Sequence, residues 1–477
     1  METPLIKHFG DHLFLVYGIS LCTLYFVGVI LATMGIRQSK RRNIFLRSRD
    51  VITATDLPHV SLIAPAYNEG LTIIDNVLSL LLLKYPYYEL IVVNDGSEDD
   101  SLSKLIDRFE LVPVPGSVRK GPIATAAVRN IYKSQLSQYK NLTIVDKENG
   151  GRSDALNAGI NIAGSELILC TDADCIVEES AIVKMVTPFL EVENREVVAC
   201  GGAIGIANGS LIMDGVLKKL RLPKNLLGKI QVVEYMRSFL VGRMAWGEIN
   251  GLMLVSGAFG MYPRQRLLEV GGFDPNTVGE DLELCVRLRK HMELLKIPYQ
   301  VVYLPLTLCW TEAPSDYDIF IKQRDRWARG LWETLKTHKA LAWNPKFRGM
   351  GLCFLPYWII FEFGAPIIEL LGLIYFIISA AMGWIHWESA AALFLTVYLV
   401  GCLLSTSAIF MYVNNFKEYH SFKHLVKLLM AAYLEPFVFH PVIVFASIKG
   451  YFKMVFKIKS GWGQMTRKGF APAPQNL

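Results

Sequence analysis

The chain has 477 residues, of which 52% are hydrophobic and 19% charged, and its mean hydropathy is +0.32. Soluble globular proteins carry about 25% charged residues, so part of this chain is expected to lie in a lipid bilayer. The composition excludes a disordered protein, a collagen or coiled-coil fibre and a small disulfide scaffold. The formal charge of +6 is modest for this length, and nucleic-acid binding needs a clustered basic stripe, so no nucleic-acid partner is expected.

The first 40 residues are interpreted as a transmembrane segment. The run from Leu13 to Ile36 carries no charge and is long enough to cross about 30 Å of hydrocarbon. A basic cluster at 37–49 follows it, and positive loops stay inside. We therefore expect the N-terminus outside and the residues after about 40 in the cytoplasm.

Residues 41–340 are predicted to form a cytoplasmic α/β domain that ends in interfacial helices. Short apolar strands are predicted at 60–65, 89–95, 142–146 and 166–171, and helices at 71–83, 101–109 and 154–163. This alternation indicates a parallel sheet covered on both faces. The stretch from Val112 to Asn130 is rich in proline and glycine and is predicted to be an irregular insertion.

Apolar segments return in residues 341–450. Spans are predicted from Phe354 to Met382 and from Ala390 to Val413. The last apolar stretch, 428–447, contains two prolines and two ionisable residues, and the tail at 451–477 is basic and expected inside. A full span would place that tail outside, so the last stretch is interpreted as a broken, re-entrant or interfacial element, which is tolerated where protein or water covers it.

Polar side chains follow the predicted strands, where ligands bind in such sheets. They are Glu69, Asp95, Lys147 and the pair Asp172-Ala-Asp174. Carboxylates two apart at a strand end project the same way, and such oxygen ligands suit Mg²⁺ or Mn²⁺. The alternatives are a loop cap for the pair and an ordinary Asp-Gly turn for Asp95.

The sequence from Thr277 to Glu280 matches a capping box, which gives Glu280 a structural role at the start of a helix. Asp281 is not needed for that cap. The helix dipole keeps a carboxylate in the first turn ionised, and an ionised carboxylate can take a proton from an acceptor hydroxyl. Asp281 is therefore a candidate general base.

The segment Gln323-Arg-Asp-Arg-Trp327 lies in a predicted helix, with Gln323, Arg326 and Trp327 on one face. Arginine can bind phosphate oxygens with two parallel hydrogen bonds, and tryptophan offers a flat apolar face to a sugar ring. The alternative is an amphipathic interfacial helix whose arginines reach toward the lipid headgroups.

Taken in order, Asp95, Asp172-Ala-Asp174, Gly-Glu-Asp281 and Gln323-Arg-Asp-Arg-Trp327 resemble the motifs of the membrane-integrated processive family-two glycosyltransferases. That family includes cellulose, hyaluronan, chitin and poly-N-acetylglucosamine synthases. The resemblance covers about residues 58–340 and the flanking apolar segments. It implies a GT-A domain with a Rossmann-like, mostly parallel sheet. It also implies a UDP-sugar donor, a divalent cation (Mg²⁺ or Mn²⁺) and a transfer that inverts the configuration at the anomeric carbon.

The resemblance also implies roles for single residues. Asp281 would be the base, and the metal ligands would be Asp172 and Asp174. With Glu69 and Lys147 added from their positions at strand ends, the donor and nucleotide residues are Glu69, Asp95, Lys147, Arg152, Asp172, Gln323, Arg326, Trp462 and Arg467. Arg152 stands where lysine is common, and Trp462 and Arg467 resemble a gating element of the tail. The acceptor residues are Ser256, Gly257, Glu280 and Trp327.

The expected function is a processive β-glycosyltransferase of a bacterial inner membrane that polymerises a hexose, N-acetylglucosamine or glucose, and helps to export the polysaccharide. Because the apolar segments are few, an accessory export subunit or a homo-oligomer is an expected partner. The alternative is a transferase that adds one sugar to a lipid acceptor, as glucosylceramide synthases do. A third possibility is a membrane-anchored sensor or synthase subunit without activity. Such a protein would be expected to lack at least one catalytic carboxylate, and Asp95, Asp172, Asp174 and Asp281 are all present.

Overall fold

The computed structural model describes residues 5–45, 57–116, 121–173, 175–191, 194–213, 215–416 and 418–458. Of the predicted site residues, Asp174, Trp462 and Arg467 lie outside these ranges. The described chain divides into two compact units. We call the described residues within 37–224 and 249–313 the sheet unit, and those within 5–36, 225–248 and 314–458 the helical unit.

The sheet unit contains a ten-stranded mixed sheet with the order β3-β4-β5-β2-β1-β6-β11-β8-β12-β7 and a separate β9-β10 hairpin. The strands are β1 Val60–Ala66, β2 Tyr88–Asp95, β3 Leu111–Pro113, β4 Val128–Ser134, β5 Leu142–Lys147, β6 Leu167–Thr171, β7 Ile176–Val177, β8 Glu196–Ile206, β9 Leu211–Met213, β10 Val216–Lys219, β11 Phe259–Pro263 and β12 Tyr299–Thr311. The neighbours β5, β2, β1 and β6 are parallel. They are the four predicted strands, and their side chains are almost all buried because helices cover both faces.

The helices of the sheet unit are Ile73–Leu81, Ser101–Phe109, Arg152–Ile162, Ala181–Leu190, Arg264–Glu269 and Glu280–Leu295. The predicted α/β class is confirmed, and the first three helices lie where the sequence predicts them. The predicted irregular insertion, 112–130, is wrong at both ends. Strand β3 ends inside its first residues, and β4 begins inside its last residues and pairs antiparallel with β5. Most side chains of β4, the strand next to the edge strand β3, are exposed or half-buried, so β4 has no apolar run that hydropathy could detect.

The helical unit contains the long N-terminal helix Leu5–Phe45 up to residue 36, and further helices later in the chain. These are Leu226–Met236, Met244–Glu248, Tyr317–Thr337, Leu355–Tyr357, Ala365–Ala381, Trp387–Phe416, Phe422–Val438 and His440–Val455, with π-helical segments at Arg237–Arg243, Met350–Phe354 and Trp358–Phe363. Among the described residues, Lys7–Lys40 and Trp387–Phe416 are long and apolar enough to cross a membrane.

Two further apolar segments are bent helix pairs. Residues 350–363 and 365–381 meet at 43°, and residues 422–438 and 440–455 meet at 48°. The second bend lies in the stretch for which the sequence predicts a break. The first divides what the sequence predicts as one span, and it coincides with Pro366, which has no N–H to continue the helical hydrogen bonds.

Candidate active site

The ends of β2 and β5 bring Asp95 and Lys147 together as register partners. Lys147 has no exposed surface, and its ammonium lies 2.5 Å from Asp95 Oδ1 and 2.7 Å from Asp154 Oδ1. It also donates a hydrogen bond to the carbonyl of Glu148 at 2.6 Å. These contacts differ from the predicted role in donor binding, because a buried ammonium with three acceptors inside the protein neutralises the two carboxylates and presents nothing to a ligand.

Asp95 holds the loop that precedes the helix Arg152–Ile162. Its Oδ1 accepts a hydrogen bond from the Gly150 N–H at 3.0 Å, and its Oδ2 accepts one from the Gly151 N–H at 2.8 Å. Asp95 is 3% exposed, so a nucleotide contact of the predicted kind would compete with these bonds. Gly151 has φ +86°, a conformation that favours glycine, and it turns the chain into the helix at Arg152.

The guanidinium of Arg152 connects three separate parts of the chain. Its Nε and Nη2 lie 2.8 and 2.7 Å from Asp172 Oδ1 at the end of β6, and its Nη1 lies 2.5 Å from Glu280 Oε1. Nη2 also donates to the carbonyl oxygen of Gly257 at 2.7 Å. We call Arg152, Asp172, Glu280 and Gly257 the Arg152 cluster.

The charges of the Arg152 cluster explain why Arg152 stays protonated although its side chain is only 12% exposed. Burial opposes the positive charge, but the carboxylates of Asp172 and Glu280 outweigh it and raise the pKa of the Arg152 guanidinium above its ordinary value. Charge-assisted hydrogen bonds from a planar guanidinium also fix the directions of its acceptors. The cluster is therefore a rigid junction rather than a flexible surface pair.

Asp281, the predicted base, is oriented by backbone groups beside this junction. Its Oδ2 accepts a hydrogen bond from the Gly257 N–H at 2.8 Å, and its Oδ1 accepts one from the Leu282 N–H at 2.8 Å. A Cβ on Gly257 would lie 3.3 Å from Asp281 Oδ2 and 3.2 Å from Arg152 Nη1. Glycine at 257 thus allows the loop to pass between the guanidinium and the carboxylate. The preceding Ser256 is half-buried in the same loop.

The predicted capping box is wrong. The helix Glu280–Leu295 has Gly279 at its N-cap, and no side chain caps it. The Thr277 hydroxyl accepts a hydrogen bond from the Gly279 N–H at 3.1 Å. Glu280 is 4% exposed and is paired with Arg152, since an internal cation satisfies a buried carboxylate better than a backbone amide does. Glu280 therefore contributes to the site as the partner of Arg152, through its Oε1 atom.

Asp172 has a side chain that is 30% exposed at the end of β6, so one carboxylate of the predicted metal pair can be reached from outside. The other member of the pair, Asp174, is outside the described residues. Within the described ranges no group of three or more His, Cys, Asp or Glu side chains could hold a metal ion. Glu69, at the end of β1, is half-buried, and its Oε2 accepts from the Thr72 hydroxyl at 3.4 Å.

Gln323, Arg326 and Trp327 lie in the helical unit on Tyr317–Thr337, which we call the motif helix. Gln323 is buried, and its Oε1 has no hydrogen-bond partner among the described residues. Arg326 is half-buried, whereas the Trp327 side chain is 44% exposed. The guanidinium carbon of Arg324 lies 4.1 Å from the centre of the Trp327 ring and fixes one of its faces.

Residues 58–330 match the sequence profile described as glycosyltransferase-like family 2, which is more than half of the chain. The chain belongs to this family. The predicted GT-A fold of the family-two glycosyltransferases agrees with the sheet described above, and the resemblance inferred from the motifs is confirmed.

Relatives of this family-two glycosyltransferase include the poly-β-1,6-N-acetyl-D-glucosamine synthases of two staphylococci. The Staphylococcus epidermidis protein is 26% identical over 318 residues, which cover 63% of this chain and 65% of the relative. The Staphylococcus aureus protein is 29% identical over 293 residues, which cover 61% of this chain and 58% of the relative. The match thus spans less than two thirds of either relative. The solved mannosyltransferase PcManGT of Pyrobaculum calidifontis, in complex with GDP-Man and Mn²⁺, aligns with a TM-score of 0.47 at 15% identity, over 91% of this chain and 100% of that one.

Sequence reasoning on this glycosyltransferase missed Asp154, which pairs with Lys147 and accepts hydrogen bonds from the Ala126 N–H at 3.0 and 3.2 Å. Its position in the first turn of a helix, where a carboxylate is favoured, was the available signal. The link between Arg152 and Glu280 had no such signal, because 128 positions separate the two residues.

Proposed function

We propose that this family-two glycosyltransferase is a processive, inverting β-transferase that polymerises a hexose from a UDP-sugar. The Arg152 cluster carries the proposal, because one guanidinium joins the partly exposed Asp172 to the loop and helix turn that orient Asp281. The two staphylococcal relatives favour N-acetylglucosamine over glucose as the transferred sugar.

The proposed chemistry needs one base and one leaving group. Asp281 accepts the proton of an acceptor hydroxyl while that oxygen forms a bond to the anomeric carbon. The bond between the anomeric carbon and the diphosphate oxygen breaks from the opposite side, so the configuration inverts and UDP leaves with the bonding electrons. The hydrogen bonds from the Gly257 and Leu282 N–H groups hold the Asp281 carboxylate in place for this step.

We also propose that the donor diphosphate is bound with Mg²⁺ or Mn²⁺. Mg²⁺ keeps several waters and is usually bound through one or two carboxylates plus substrate phosphates. The partly exposed Asp172, followed by Asp174, fits that donor set. When bound, the cation would neutralise charge on the departing UDP.

The remaining predicted roles complete the proposal. Arg326 and Gln323 would contact the diphosphate, Trp327 would stack on the acceptor sugar, and Trp462 and Arg467 in the tail would close over the donor. The 44% exposure of Trp327 supports the second of these roles.

The finer membrane placement is part of the same proposal. Two helices capable of crossing a bilayer support a membrane location. The basic residues that follow the first of them support a cytoplasmic sheet unit, by the rule that positive loops stay inside. The proposal includes export of the polymer through the helical unit. An accessory subunit or a second copy would assist, because the described residues hold two candidate spans, or four if each bent pair is one span.

The test uses the full chain in membranes with a panel of UDP-sugars and Mg²⁺ or Mn²⁺. UDP release and product mass are measured for the wild type, Asp281→Asn and the control Asp107→Asn, an exposed carboxylate on the helix Ser101–Phe109. A polymer ladder from UDP-N-acetylglucosamine, abolished only by Asp281→Asn, is expected. Unchanged turnover in Asp281→Asn would refute the role of Asp281 as the base. One discrete glycolipid in place of a polymer ladder would show that the enzyme adds a single sugar to a lipid.

A further inference from the structure

The motif helix packs closely on His440–Val455, which we call the last helix, at one buried carboxylate. Asp325 lies between the two arginines of the Gln323–Trp327 motif, and its side chain is 5% exposed. Its Oδ2 accepts a hydrogen bond from the Lys453 ammonium of the last helix, and its Oδ1 lies 3.2 Å from Arg329 Nε. The pair with Lys453 thus joins two helices that are 128 positions apart in the sequence.

The two helices are also in close backbone contact at the same place. A Cβ on Gly450 would lie 2.9 Å from the Asp325 carbonyl oxygen and 3.1 Å from Asp325 Oδ1. Gly450 and Lys453 are three residues apart and therefore lie on one face of the last helix. If either helix moved along its axis, Lys453 would separate from Asp325. A residue with a side chain would then replace Gly450 at the close contact with the motif helix.

A second ion pair holds the same helical turn through a neighbouring residue. Arg324 Nη2 lies 2.6 Å from Glu234 Oε2 on the helix Leu226–Met236, and the Arg324 guanidinium covers a face of Trp327. The turn with the motif side chains is therefore held by charged partners on two other helices. Neither Lys453 nor Glu234 belongs to the motif itself.

We propose that Lys453 is a positioning residue for glycosyl transfer. Its ion pair with Asp325 sets the position of the motif helix and, through it, the directions of Arg326 and Trp327. The inference rests on the proposed function, in which these two side chains contact the donor diphosphate and the acceptor sugar. Lys453 acts through the motif helix and contacts neither the donor nor the acceptor.

The key variant is Lys453→Met, which removes the cation but leaves Asp325 paired with Arg329. A displacement of about 1 Å in a substrate-positioning group can lower the rate about a hundredfold, and we expect a loss of about tenfold in kcat because one partner remains. Product length should fall with kcat. The KM for the donor should change less than kcat, because the proposed Asp172 contact stays in place and the displaced Arg326 acts mainly on the charge of the departing diphosphate.

Three other variants of the purified full chain separate positioning from a general loss of structure. Gly450→Ala keeps the charges but puts a methyl group against the Asp325 backbone, so it should also lower kcat. Lys453→Arg should restore at least half of the turnover. Lys449→Met removes an exposed charge from the same helix and should behave as the wild type.

The inference is overturned if Lys453→Met keeps the turnover and product length of the wild type. It is also overturned if the melting temperature falls in parallel with activity and Lys453→Arg does not rescue it, because the ion pair would then only stabilise the fold. Asp281→Asn is measured in the same series. Full activity in that variant would refute the proposed chemistry, whatever the result at Lys453.

Discussion

Arg152→Lys keeps the charge at the centre of the Arg152 cluster but removes the planar guanidinium. Arg152 makes four polar contacts of 2.5–2.8 Å, two to Asp172, one to Glu280 and one to the Gly257 carbonyl. A single ammonium cannot reach three acceptors that face different guanidinium nitrogens, so about two contacts should be lost. The common lysine of the family is therefore not a neutral replacement here.

The cost follows from the burial of the partners. Hydrogen bonds to charged groups contribute about 1.5–3 kcal/mol each, so losing two costs about 3 kcal/mol at the lower end of that range. That figure is the loss in the free energy of unfolding. The value of kcat/KM should fall about a hundredfold, because a misplacement of about 1 Å in a group that orients the site costs about that factor in rate. Arg152→Gln should lose more, because it removes the Arg152 cation from Glu280, whose side chain is only 6% exposed.

The assay is UDP release from the full chain at several donor concentrations, together with its melting temperature. Arg264→Lys is the matched control, because the Arg264 guanidinium donates through its Nε to a backbone carbonyl, that of Ile160, at 3.2 Å. It should keep nearly full activity. If Arg152→Lys stays within about twofold of the wild type, the cluster does not orient the catalytic groups.

Three further outcomes are expected. Lys147→Met should lower the free energy of unfolding by about 3–5 kcal/mol, because Asp95 and Asp154 would remain buried without their cation, and a melting curve with unchanged midpoint would contradict this. Gly257→Ala should lower kcat about tenfold, because its methyl group would lie 3.2 Å from the guanidinium nitrogen and 3.3 Å from the proposed base; a pH–rate profile of the wild-type height would show that the loop adapts. Burial raises the pKa of the Cys170 thiol to about 12, so this cysteine should not react with a water-soluble maleimide at pH 8 until the protein is denatured, as mass spectrometry of labelled peptides can test.

The sequence was sufficient for the central strands because each is a continuous apolar run followed by a polar residue. Such a run forms where a strand is buried on both faces, as β1, β2, β5 and β6 are. Strand β4, which lies between β3 and β5, has no such run, since most of its side chains are exposed or half-buried. Its pairing with β5 depends on backbone hydrogen bonds that almost every residue type can make.

The candidate site likewise has residues that the sequence identifies and pairings that it does not. Local order in the sequence identified the carboxylates Asp95, Asp172 and Asp281, because strand ends and helix starts are encoded by neighbouring residues. It could not assign their partners. Lys147 is a buried counter-ion and Glu280 is an ion-pair partner instead of a helix cap, and both results depend on which distant side chains the fold brings within about 3 Å.

The sequence by itself determined the family, the apolar segments and the residues at the strand ends, because those properties follow from composition and short-range spacing. Only the tertiary structure decided how the charges are paired: Arg152 with Asp172 and Glu280, and Asp325 with Lys453. The physical reason is desolvation. A charge removed from water must find an opposite charge nearby, and the nearest one is set by packing between elements that lie far apart in the chain.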